Sequence, residues 1–69
     1  MERNASLIQL DNNYVLRVQK REQGVQGEVV LVDRSNPHRG THVFNTPEQG
    51  DVQELVAWSH KALQAYREG

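Results

Sequence analysis

The chain has 69 residues, a formal net charge of -1, 25% charged residues, 36% hydrophobic residues and no cysteine. That length holds a single domain spanning residues 1–69 with a thin core, and the missing cysteines exclude disulfide staples and most zinc sites. There is no polybasic or acidic tail, no run of roughly 20 apolar residues, and no apolar stretch behind Met1-Glu2-Arg3-Asn4-Ala5, so a cytoplasmic location with no membrane partner is expected.

The first expected element is a short strand over residues 6–10, followed by Asp11-Asn12-Asn13, a trio that tolerates left-handed backbone and suits a tight turn. Tyr14 to Arg21 alternates, with Tyr14, Leu16 and Val18 on one face and Val15, Arg17, Gln19 and Arg21 on the other, the pattern of a half-buried strand. Residues 23–27 carry Gly24 and Gly27 and read as the next turn. The run Val29-Val30-Leu31-Val32 is apolar on both faces and β-branched, which predicts a central strand over residues 28–33 with both sides covered. A polar loop over residues 34–40 is marked by Asn36-Pro37, and residues 41–45, with Val43 and Phe44, form a last strand.

Residues 51–67 are the only long amphipathic segment. Val52, Leu55, Val56, Ser59, Ala62, Leu63 and Tyr66 recur at helical spacing. Two starts are available: Thr46-Pro47-Glu48-Gln49 has the form of a capping box with proline at the first helical position, and Asp51 caps a second start after Gly50. A glycine inside a helix costs about 1 kcal/mol relative to alanine, so a first turn at Pro47 and a regular helix from Asp51 are expected. The order β-β-β-β-α predicts an α+β fold: an antiparallel meander of three to four strands with one carboxy-terminal helix packed on one face of the sheet.

The side chains that carry chemistry are sparse. His38 and His42 lie four apart, but on a loop and a strand, where helical ligand geometry is lost; with Asp33 they are the closest approach to a metal set. His60 falls on the polar side of the helix. Ser59 and His60 are neighbours, and neighbours on a helix point apart, so they make no nucleophile and base pair. The glycines match no phosphate-binding spacing. No catalytic residue, metal ligand or cofactor is expected, and the chain is read as a non-enzyme.

Charge is divided unevenly. Residues 13–42 hold five basic side chains (Arg17, Lys20, Arg21, Arg34, Arg39) against Glu22, Glu28 and Asp33, while residues 43–69 hold two basic against four acidic ones. Arg17, Lys20, Arg21, Arg34 and Arg39 are therefore candidate contacts for single-stranded nucleic acid on the open sheet face, bases resting on the sheet and phosphates on the cations. A meander followed by one helix resembles in topology the half-unit of Pur-type and related dimeric single-strand binders. It also resembles small phage-encoded inhibitors that bind a host protein complex.

The helix carries more apolar surface than a lid requires. At about 100° per residue, Leu55, Val56, Leu63 and Tyr66 fall within about 60° of Val52, and Ala65, Trp58 and Ala62 follow at about 220° to 280°. The apolar sector then covers about half the circumference. Trp58, Ala62 and Ala65 are the candidate protein interface, a tryptophan between two small residues that admit a close neighbour. A core this small leaves only about 3 to 5 kcal/mol of net stability, and with no disulfide available a second subunit is the remaining staple. The leading expectation is a homodimeric protein-interaction domain acting on an unidentified larger protein or complex; the alternative is the nucleic-acid binder.

Overall fold

The computed structural model describes residues 5–33, Ser35 and residues 40–69. The expectations for Arg34, Pro37, His38 and Arg39 lie outside the described residues. The elements are β1 (Ala5–Gln9), β2 (Tyr14–Arg21), β3 (Gly24–Val32), β4 (Gly40–Asn45) and α1 (Val52–Glu68). The strands form one antiparallel sheet in the order β1-β2-β3-β4, and α1 packs on one of its faces, giving the expected α+β meander with four strands. The whole is a slab of 34 × 33 × 15 Å, one sheet and one helix deep. Among the described residues no helix is long and apolar enough to cross a membrane.

Alternation assigns the two faces. Leu16 pairs with Val29, Val18 with Gly27, and Ile8 with Leu16, so these residues with Leu10, Val25 and Phe44 point toward α1. Leu16, Val29, Leu55 and Leu63 are closed off from solvent at the centre. Burying a leucine of this kind contributes about 1.5–3 kcal/mol, and this cluster sets where the helix lies, over β3 and β2. The other face carries Leu7, Val15, Arg17, Gln19, Arg21, Gln26, Glu28, Val30 and His42, and no helix covers it.

Two expectations are corrected. Residues 23–27 are not a turn: the connection is Glu22-Gln23 alone, and β3 starts at Gly24. Both glycines serve close approach. A Cβ on Gly24 would sit 2.1 Å from the Gln49 carbonyl oxygen, and one on Gly27 would sit 2.7 Å from Leu16 Cδ1. The helix has no first turn at Pro47, because residues 46–49 run on in extended form beside β3. Val25 N–H donates to Gln49 O at 2.9 Å and Gln49 N–H returns a bond to Val25 O at 2.8 Å. The Thr46 hydroxyl, expected as a helix cap, instead accepts from Gly27 N–H at 2.8 Å. Asp51 is the cap, its carboxylate accepting from Glu54 N–H at 2.9 Å.

β3 lies inside the sheet, as expected, and Val30 on the helix-free face is only 9% exposed. The outer pair, Leu31 and Val32, is more open, with Leu31 37% exposed beside the helix.

Candidate interaction surface

α1 shows different chemistry on its two flanks because the sheet extends past it on both sides. The buried stripe is Leu55, Ser59 and Leu63, one residue per turn. Ser59 is tolerated there because its hydroxyl donates to Leu55 O at 2.7 Å within the helix. Val52 and Tyr66, expected to share in the lid, are 40% and 56% exposed, since they sit at the helix ends beyond the central cluster.

On the β4 side the flank is aromatic. The Phe44 ring stands edge-on to Trp58, centroids 6.1 Å apart, and edge-on to Tyr66 at 6.0 Å. Trp58, Ala62 and Tyr66 follow one another at i, i+4 and i+8, so Phe44 reaches both rings across the small residue between them. The close neighbour that Trp58 and Ala62 were expected to admit is therefore first of all Phe44 of the same chain. Trp58 and Ala62 are half-buried, while Ala65 and Tyr66 stay exposed. Leu31, two residues along β3 from the partner of Phe44, extends the apolar surface on the same face. Phe44 and Tyr66 belong to this surface although the helical pattern alone assigns Tyr66 to the lid and leaves Phe44 in the core.

The other flank is polar. Arg67 in the last turn of α1 forms an ion pair with Asp11 in the β1-β2 turn. Leu10, His60, Leu63 and Gln64 join that pair in lining an open groove of about 520 Å³.

The helix-free face brings together only part of the basic set. Arg17 and Arg21 share it, in a shallow trough of about 190 Å³ with Gln19, Gln26, Glu28 and Asn45. Lys20 pairs with Val25 and so lies on the other face, and Arg34 and Arg39 are not among the described residues. Glu28 sits inside the trough and holds Arg17 at 3.1 Å and His42 Nδ1 at 2.7 Å. Arg21 donates to Gln26 Oε1 at 3.1 Å. Tyr14, Phe44, Trp58 and Tyr66 are the only aromatic residues of the chain, and none lies on this face. Among the described residues no three His, Asp or Glu side chains converge as a metal site.

Compared with protein-family models, curated proteins and solved structures, the chain matches none of them.

Proposed function

We propose that this chain is a non-enzymatic, self-associating protein-interaction domain that offers the β4-side flank of α1, with Trp58, Ala62 and Ala65 at its centre, to a larger protein. The observation that carries this reading is the Phe44, Trp58 and Tyr66 cluster. It gathers most of the chain's aromatic area at one place and keeps Tyr66 56% exposed. Rigid aromatic side chains with an exposed edge bind at low entropic cost, and Phe44 already fixes both rings before a partner arrives.

The nucleic-acid alternative has less support. Arg17 is held by Glu28, Lys20 lies on the opposite face, and the trough lacks an aromatic platform for base stacking. Titrations of labelled single-stranded DNA and RNA at low salt are expected to stay flat; binding that weakens steeply with salt would favour the alternative.

The interaction reading is tested by recovering tagged wild type, Ala65→Glu and Gln19→Glu from the cells that make the protein. Ala65 and Gln19 are both exposed, on the helix flank and on the open sheet face. The same partner should accompany wild type and Gln19→Glu and be lost with Ala65→Glu. A partner retained by Ala65→Glu and lost by Gln19→Glu would move the interface to the sheet.

A further inference from the structure

Among the described residues the sheet has two edges that pair on one side only, and they are built differently. On β4 the register shifts beside Val43, where Phe44 faces Val29 but His42 faces Val30. Such a bulge twists an edge away from an incoming strand. β1 carries no such device. Its sequence Ala5-Ser6-Leu7-Ile8-Gln9 has no charge and no proline, it pairs with β2 without a shift, and Leu7 is 70% exposed.

The outward backbone groups of β1 follow from the ladder. Val32 N–H donates to Asn13 O at 2.8 Å and Leu10 N–H to Tyr14 O at 2.9 Å. Bonding directions alternate along an antiparallel strand, so odd residues of β2 bond to β3 and even ones to β1. Ser6 and Ile8, opposite Val18 and Leu16, bond inward. Ala5, Leu7 and Gln9 point their N–H and C=O groups at the free edge.

We propose that β1 is a self-pairing edge: a second copy of this chain adds its own β1 antiparallel to this one, about a two-fold axis at Leu7, and joins the two sheets into one. Leu7 then faces Leu7 of the second copy, and Ala5 faces Gln9. Every outward residue of the strand is used in a hydrogen-bonded pair, and each pair exchanges both of its bonds. Pairing centred on Ser6 or Ile8 leaves an end residue of the strand unbonded. The chosen register also covers Leu7, the most exposed large apolar side chain among the described residues, against its own copy.

Charge selects the occupant. A two-fold contact sets each residue against its symmetry mate, so a charged strand would repel itself. β1 has no charge to repel a copy, and it offers none by which a foreign strand would be chosen. The contact lies at the sheet edge opposite β4, so it leaves Trp58 and Tyr66 open in both copies. It supplies the self-association in the reading above but rests on different residues.

Light scattering over a wide concentration range, on full-length wild type, Leu7→Lys, Leu7→Pro and Ala65→Glu, tests it, with circular dichroism as a check on folding. Leu7→Lys opposes two cations at the axis, and Leu7→Pro removes an outward N–H without touching a bond to β2. Wild type and Ala65→Glu should reach twice the 7.9 kDa chain mass, and both Leu7 variants should stay at one chain. In wild type alone, exchange of the Leu7 and Gln9 amides should slow as concentration rises; this measurement decides if the variants fail to fold. A wild-type monomer throughout, a dimer that survives both Leu7 changes, or unchanged exchange at Leu7 and Gln9 would overturn the proposal. Dissociation by Ala65→Glu would place the second copy on the helix instead, whereas loss of the larger partner with the dimer intact would leave this proposal standing.

Discussion

At the scale of single residues, the buried Thr46 ties the segment before α1 to β3. Thr46 begins a run with the form of a helix cap, yet its buried hydroxyl accepts from Gly27 N–H at 2.8 Å and donates to Pro47 O at 3.0 Å. Replacing it by valine keeps the shape and leaves the Gly27 N–H without its partner, so Thr46→Val should cost about 1–3 kcal/mol in urea unfolding. Ser59 is as deeply buried, but its hydroxyl bonds to a carbonyl of its own helix. Ser59→Ala should therefore change stability by less than about 1 kcal/mol. Gly24 reads as a turn glycine because turns and close backbone approach call for the same residue. Only the structure shows that Gln49 O occupies the place of its missing Cβ. Gly24→Ala should detach residues 46–49 from β3, costing about 1–3 kcal/mol and raising amide exchange at Val25 and Gln49 together.

At the scale of elements, strands and helix are legible where one periodic pattern dominates. β2 is found with the bounds that alternation gives it, and Leu55 and Leu63 mark the buried line of α1. The start of the helix is less legible because two caps compete. Asp51 prevails because the Gln49–Val25 bridge holds the preceding residues extended. Asp51→Ala should cost about 1 kcal/mol, read as a lower thermal midpoint with the β3 amides still protected. The long-range contact of Phe44 with Trp58 and Tyr66 leaves no trace in local pattern. Helical spacing shows that Trp58 and Ala62 stand outside the lid but not that a ring from β4 meets Trp58 and Tyr66. Ala62→Leu adds bulk between Trp58 and Tyr66, where Phe44 reaches both rings, and should destabilise the fold by about 1–3 kcal/mol. A purely partner-facing Ala62 would leave stability unchanged.

At the scale of the whole molecule, a slab with one helix divides its surface into unequal parts. The helix-free face holds a polar trough in which Glu28 pairs with Arg17 and His42, so among the described residues it presents less cation than basic composition suggests. The β4 side carries the aromatic flank, and among the described residues the β1 side carries an edge with no charge, proline or bulge. That arrangement suits a domain that pairs with itself at one end and meets another protein at the other. Trp58 is the only tryptophan in the chain, so it reports on the flank without interference. Replacing it with 5-fluorotryptophan gives a single fluorine resonance, to be followed while the recovered partner is added. A shift of that resonance that saturates with binding, and is absent with Ala65→Glu, is the predicted result; an unmoved resonance at saturating partner would contradict the assignment of the interface to this flank.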